Sequence, residues 1–321
     1  VDLRGATVAV TGATGFLGRY VVDVLQERGA RVVAVVRNPA RAPELAERGV
    51  TLRRADLADA EALAAGFAGA DAVISNAALF SLWNQRRGAY LRTNLEGTRN
   101  VFEAMARAGV RRAVHVSSTA VYRGQPAGPI TEDQDVHDGR TGRRPWNAYG
   151  ISKALAEQEA WRLARERGIA LTVVRPFGMY GAFDRHFMRV HKAFVAPPIG
   201  VYPVGMRFPV VYAGDVADGI ARCLERDAAI GRVYNLAGED ATAWDFLRAW
   251  AVAGGRMPWL VVPIPVWMRR RYSTARARAE LGWSTRPAVE GLRETLLAEA
   301  AGSAARRIGF RSATKALSAR A

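Results

Sequence analysis

Two side chains four residues apart carry the clearest chemistry in this sequence. Tyr149 and Lys153, in the stretch Tyr149-Gly-Ile-Ser-Lys153, stack one turn over the other on one helical face. An ammonium beside a phenol stabilises the phenolate, which lowers the phenol pKa towards a value useful for proton transfer at neutral pH. Lysine occurs only at Lys153, Lys192 and Lys315, so such a pairing arises by chance with odds of roughly one in ten.

The elements that must position this pair begin at the N-terminus. Ala6–Val10 is a β-branched apolar run and reads as a buried strand. Thr11-Gly12-Ala13-Thr14-Gly15-Phe16-Leu17-Gly18 follows, then a helical pattern from Arg19 to Arg28 closed by Gly29. Strand, glycine turn and helix start form the setting of a dinucleotide loop, in which a pyrophosphate sits on the free N–H groups of the helix N-terminus. The second strand, Arg31–Val36, runs into Arg37-Asn38-Pro39-Ala40-Arg41 without a carboxylate. An acid there would bind the ribose hydroxyls of NAD; Arg37, with Arg41 beyond it, instead suits the 2′-phosphate of NADP. The cofactor expected is NADP, with NAD as the alternative.

The β/α alternation continues. Thr51–Arg54 is a third strand ending at Asp56-Leu57, and Ala60–Phe67 is helical. Asp71–Ser75 is a fourth strand running out into Asn76-Ala77-Ala78, Tyr90–Ala108 a long amphipathic helix, and Ala113–Ser117 a fifth strand ending in the hydroxyl cluster Ser117-Ser118-Thr119. The fold class is therefore α/β, a Rossmann-type doubly wound parallel sheet. Its ligands bind outside the carboxyl ends of the strands, where loop, hydroxyls and the Tyr149 helix converge.

These motifs, in this order, resemble the extended short-chain dehydrogenases/reductases, the epimerase/dehydratase-like superfamily. Asn94-Leu-Glu-Gly-Thr98, Arg175-Pro176-Phe-Gly-Met-Tyr180-Gly181, Tyr212-Ala-Gly-Asp215, Tyr234-Asn-Leu-Ala-Gly238 and Leu281-Gly282-Trp283 extend the likeness over roughly residues 5–298. The resemblance implies Tyr149 as proton donor or acceptor at the substrate oxygen. It implies Lys153 on the nicotinamide ribose and Ser118 orienting the carbonyl or hydroxyl. The cofactor would be held by Gly12, Thr14, Gly15, Phe16, Leu17 and Gly18 at the pyrophosphate and by Asp56 and Leu57 at the adenine. Asn76, Ala77 and Ala78 would line its path, and Pro176, Gly178 and Met179 the nicotinamide. The implied organisation is a dinucleotide-binding domain over 1–176, a smaller C-terminal substrate-capping domain over 177–300 with later strands returning to the main sheet, and a basic tail over 301–321. That tail is expected to be disordered. Asn94 reads equally as a structural, helix-start or catalytic residue.

Composition bounds the other classes. The formal charge is +16, yet the basic residues are nearly all scattered arginines without a nucleic-acid motif, so no nucleic-acid partner is expected. The longest apolar run, Trp259–Met268, is broken by Pro263 and Pro265 and is too short to span a bilayer. With the first residues leading straight into a strand, the expectation is a cytoplasmic protein with no membrane partner. A homodimer is left open. The single cysteine, Cys223, reads as core filler, and His115 as a strand histidine satisfied in the core. His186 and His191 are off one helical face, so no metal site is expected.

Departures from the superfamily narrow the reaction. Where sugar-nucleotide dehydratases carry an Asp-Glu pair, this chain has Thr119 and Ala120; where nucleotide-sugar binders often have asparagine, it has Gly178. The pocket wall is aromatic: Phe80 and Trp83 in the loop after the fourth strand, then Tyr122, Trp146, Phe177, Phe183 and Phe187. That loop resembles dihydroflavonol-reductase-like and hopanoid-associated members. Apolar walls suit a hydrophobic small molecule. The resulting reading is an NADP(H)-dependent oxidoreductase interconverting a ketone and a secondary alcohol. A nucleotide-sugar epimerase using the same Ser/Tyr/Lys site, and a non-catalytic dinucleotide-binding sensor, are the alternatives.

Overall fold

The valine-rich runs become strands because β-branched side chains pack well on a sheet covered on both faces. The structure, a computed structural model, describes residues 1–81, 87–124, 127–137, 148–266 and 269–302. In chain order, β1 (Thr7–Thr11) leads to α1 (Phe16–Glu27), β2 (Arg31–Val36) to α2 (Pro43–Glu47), and β3 (Thr51–Arg54) to α3 (Ala60–Phe67). β4 (Ala72–Ser75) is followed by α4 (Arg87–Tyr90), a π-helical turn (Leu91–Glu96) and α5 (Gly97–Arg107). β5 (Arg112–Val116) precedes α6 (Ala148–Arg167), β6 (Ala170–Pro176) and β7 (Met179–Tyr180). Then come α7 (Phe187–Val195), β8 (Ile199–Val204), β9 (Val211–Tyr212), α8 (Ala213–Glu225), β10 (Val233–Leu236) and α9 (Ala243–Val252). β11 (Leu260–Pro265), α10 (Ala275–Leu281) and α11 (Ala288–Ala301) complete the described chain.

Seven strands form one parallel sheet in the order β3-β2-β1-β4-β5-β6-β10. Alternate residues of each strand face opposite ways. Val8, Val10, Val32, Ala34 and Ile74 join one apolar layer, and Ala9, Val33, Val35 and Val73 the other. This accounts for the continuous apolar runs in the sequence. The order reverses between β1 and β4, which opens a crevice at their carboxyl ends. α8 packs on α1 and β10 pairs with β6, so the later chain returns to the main sheet. β8 and β11 form a separate two-stranded parallel ribbon, and β7 and β9 another.

Two helices differ from the sequence reading. α1 begins at Phe16 rather than Arg19, because Gly15 already serves as its extended N-cap. The helix expected over Tyr90–Ala108 carries the π turn, and Asn94 sits in it. Such turns are uncommon and tend to occur near functional sites. Cys223 is fully buried in α8. His115 is only half satisfied: Nδ1 lies 3.2 Å from Ser75 Oγ, while Nε2 is buried without a partner among the described residues. No helix among the described residues is long and apolar enough to cross a membrane. His191 meets Tyr202 in the core, its Nδ1 3.0 Å from the hydroxyl.

Candidate active site

The loop between β1 and α1 needs its glycines for space and for conformation. Gly12 has φ +70°, and a Cβ on it would stand 2.8 Å from the Ala77 backbone; one on Gly18 would stand 2.0 Å from the Gly12 carbonyl. Thr11 Oγ1 accepts the amides of Asn76 and Ala77, each at 3.1 Å, and so joins the loop to the end of β4. No side chain caps α1 and its first turn holds no acid, which leaves the positive end of the helix directed at the crevice.

A cavity of about 970 Å³ lies along this crevice. The dinucleotide-side residues that line it are Gly12, Thr14, Gly15, Phe16, Leu17, Arg37, Asp56, Leu57, Asn76, Ala77 and Ala78. Ser118, Tyr149, Lys153, Pro176, Gly178 and Met179 line it farther along. Gly18 lies beneath the loop instead, and Arg41 is exposed at the end of a short 3-10 turn, outside the lining.

α6 and the end of β5 bring Ser118, Tyr149 and Lys153 to one side of the cavity. Ser118 and Tyr149 hydrogen-bond through their side chains. The sequence reading expected Lys153 to lower the Tyr149 pKa, and the structure reverses that direction. Burial pushes the phenol up to about 12, opposed by the Ser118 hydrogen bond, and Lys153 is not among the groups that shift it. The reason is where the ammonium points: Lys153 Nζ donates to the Val116 carbonyl at 2.7 Å. Burial in turn lowers Lys153 itself to about 8, against the Glu157 charge, which raises it.

Glu157, one turn beyond Lys153, is buried in a network the sequence reading did not single out. Ser117 Oγ donates to it at 2.6 Å and the Arg175 guanidinium pairs with it. A Tyr-x-x-x-Lys-x-x-x-Glu spacing could have pointed to it, since all three share a helix face. Asn94 is turned away from the cavity. Its amide accepts the Leu79 N–H at 2.7 Å and donates to the Leu79 carbonyl at 3.1 Å and to Ser152 Oγ at 2.9 Å. It fastens the loop bearing Phe80 to α6.

The expected aromatic wall is assembled in part. Phe80 lies edge-on to Tyr149 with ring centres 4.9 Å apart, and Phe177 and Phe187 also line the cavity. Tyr122 does not. Its hydroxyl donates to Asn235 Oδ1 at 2.6 Å and accepts from Arg175, which holds the ring in the buried network. Phe183 is also outside the lining, packed against the main core with φ +60°. Trp83 and Trp146 lie outside the described residues. The lining adds Arg92, Asp184, His186, Val190 and Phe208, which the sequence reading missed. Phe208 stacks on Phe187 at 5.4 Å, and no local spacing announces that contact. Among the described residues, no group of three or more His, Cys, Asp or Glu is arranged to hold a metal.

The family model "NAD dependent epimerase/dehydratase family" matches residues 8–237. Cinnamoyl-CoA reductase 1 of Petunia hybrida is 35% identical over 192 residues, 56% of this chain and 56% of that protein. A 4-hydroxy-2-methyl-3-oxo-4-farnesyl-3,4-dihydroquinoline-1-oxide ketoreductase of Stigmatella aurantiaca is 34% identical over 180 residues, 56% of this chain and 52% of that protein. The chain thus spans about half the length of these relatives. The solved structure of MoeE5 in complex with UDP-glucose and NAD superposes with TM-score 0.71 at 26% identity, covering 96% of this chain and 99% of that one. Since the family match runs from β1 through β10, and so through every strand of the main sheet, the chain belongs to the NAD dependent epimerase/dehydratase family, within the extended short-chain dehydrogenases/reductases.

Proposed function

We propose that the protein is an NADP(H)-dependent oxidoreductase that interconverts a ketone and a secondary alcohol on a moderately hydrophobic small molecule. The observation that carries this reading is the hydrogen-bonded Ser118–Tyr149 pair opening on a cavity walled by Phe80, Phe177, Phe187 and Phe208. The crevice suits a dinucleotide: its loop lies too close to the Ala77 backbone for a Cβ at Gly12, and the uncapped start of α1 meets it. Gly15, Phe16 and Leu17 would hold the pyrophosphate, Asp56 and Leu57 the adenine, and Lys153, Pro176, Gly178 and Met179 the nicotinamide side. Arg37, exposed at the end of β2 and lining the cavity, would pair with a 2′-phosphate.

When bound, the nicotinamide supplies or accepts the hydride. The chain supplies the proton. A phenol held at about 12 stays protonated at neutral pH, so Tyr149 is ready to give its proton to a carbonyl oxygen as that oxygen gains negative charge. Ser118 orients the same oxygen. Glu157 favours the charged form of Lys153 against its burial. The reductase names of the relatives support this reading.

The test is to denature the purified protein, quantify released dinucleotide, and assay hydrophobic ketones beside UDP- and dTDP-sugars. An empty protein that oxidises NADPH only with ketones is the expected result. Near-stoichiometric bound NAD with sugar-nucleotide isomerisation and no added dinucleotide would replace the reductase reading with an epimerase one. Dinucleotide binding with neither activity would mark a sensor.

A further inference from the structure

One face of the β8–β11 ribbon is covered along β8 and at Val261 of β11, whose Pro263 and Pro265 are exposed. Inward, Tyr202 reaches His191 of α7, and Gly200 lies so close to the Phe194 carbonyl that a Cβ would stand 2.8 Å from it. Outward, the parallel register sets Ile199 beside Leu260, Val201 beside Val262 and Pro203 beside Ile264. Every outward position is thus apolar, and five of the six side chains are exposed. Trp259, just before β11, is 84% exposed. On α7, the exposed Val190 and Phe194 form one ridge at a four-residue spacing, and Val190 also lines the large cavity. Pro197 and Pro198 carry that exposed ridge into Ile199.

The segments that build this face carry basic residues and no acids of their own. From Arg185 to Gly214, and again from Phe246 to Ala279, the chain contains no aspartate or glutamate. Those segments hold Arg189, Arg256, Arg269, Arg270 and Arg271, while their Lys192 pairs with Glu299 and their Arg207 with Asp240. Among the described residues no ion pair engages Arg256, Arg269, Arg270 or Arg271, and Arg256 and Arg269 are exposed. An exposed tryptophan, an aliphatic face and the exposed Arg256 and Arg269, outside any ion pair among the described residues, are the features that hold a protein on an anionic bilayer surface. A second copy of the chain is the poorer occupant, because each copy would bring the same positive rim and a net charge of +16.

We propose that the β8–β11 face, with Trp259 and the flanking arginines, docks the protein on the headgroup region of an anionic membrane. This needs no spanning segment, only shallow insertion of the apolar ribbon, and it does not depend on the reaction proposed above. The ridge through Phe194 and Val190 then gives an apolar solute a route between the bilayer and the cavity.

The test is co-sedimentation of the full chain with vesicles of phosphatidylcholine alone or of phosphatidylcholine with phosphatidylglycerol. Binding to the anionic vesicles and its release by salt are expected. Val201→Asp with Val262→Asp, and separately Arg256→Glu with Arg269→Glu, should each weaken that binding at least roughly tenfold. These side chains lie on the surface and outside the cavity, so urea unfolding and NADPH titration should be unchanged in both variants. Failure to bind anionic vesicles, equal binding to neutral ones, or full binding by either variant would overturn the proposal. So would a dimer in sedimentation velocity that Val201→Asp with Val262→Asp converts to monomer while wild type ignores vesicles, since a second copy would then be the occupant.

Discussion

Replacing Lys153 with methionine should make the protein more stable at neutral pH while disabling the site. Burial carries the Lys153 pKa from an ordinary 10.5 down to about 8. At about 1.4 kcal/mol for each tenfold change in proton affinity, holding that ammonium inside costs the fold about 3 kcal/mol. Methionine fills nearly the same volume without charge, but it forfeits the hydrogen bond to the Val116 carbonyl, worth about 1 kcal/mol. The net expectation is a gain of about 2 kcal/mol at pH 7. The pH dependence gives the sharper signature. Below pH 8 both folded and unfolded wild type hold the proton, so the full cost is present. Between about 8 and 10.5 the unfolded chain alone binds it, and wild-type stability rises with pH. The advantage of Lys153→Met should therefore close by about pH 10. Urea unfolding of both proteins, with no dinucleotide added, at pH 7 and pH 10 measures this. A variant less stable than wild type at pH 7, or a difference independent of pH, would refute the reasoning.

Tyr149→Phe keeps the ring contacts with Phe80 and Tyr90 and removes only the transferable proton. Its kcat should fall by about 10²–10⁴-fold with NADPH affinity within a few-fold; turnover near wild type would remove Tyr149 from the chemistry. Arg37→Ala should weaken NADPH binding by about 1–3 kcal/mol and leave NADH within a few-fold. A titration in which wild type binds NADH more tightly would reverse the cofactor assignment. Asn94→Ala deletes three hydrogen bonds that tie Leu79 to α6, one buried and two partly buried, so unfolding should show a loss of about 2–4 kcal/mol. If stability is unchanged, the amide does not anchor that loop.

Much of the fold was legible because its signals are local. A β-branched run closed by a glycine turn specifies a strand and its exit over a few residues, whatever packs on it later. Local pattern is why the strands Arg31–Val36 and Thr51–Arg54 and the helix Ala60–Phe67 match the sequence reading residue for residue. The glycine loop was legible for the same reason: Gly12 and Gly18 are required by contacts within one strand–loop–helix unit and its neighbour. Tyr149 and Lys153 were legible because helical spacing alone puts them on one face.

What the sequence could not determine are the quantities set by distant chain. Whether Tyr149 titrates up or down depends on how much water the surrounding elements exclude and on where the Lys153 ammonium points. Only the Val116 carbonyl, brought there by β5, decides that. Tyr122 and Phe177 are both aromatics near the candidate site motifs, yet Arg175 and Asn235 draw Tyr122 into a buried network while Phe177 reaches the cavity. Phe208 comes to Phe187 from another part of the later chain. The apolar composition of the run after Trp259 says nothing of which of its residues face outward. Its register against β8 turned Leu260, Val262 and Ile264 outward together, because alternation fixes which residues share a face and tertiary packing fixes which face is covered.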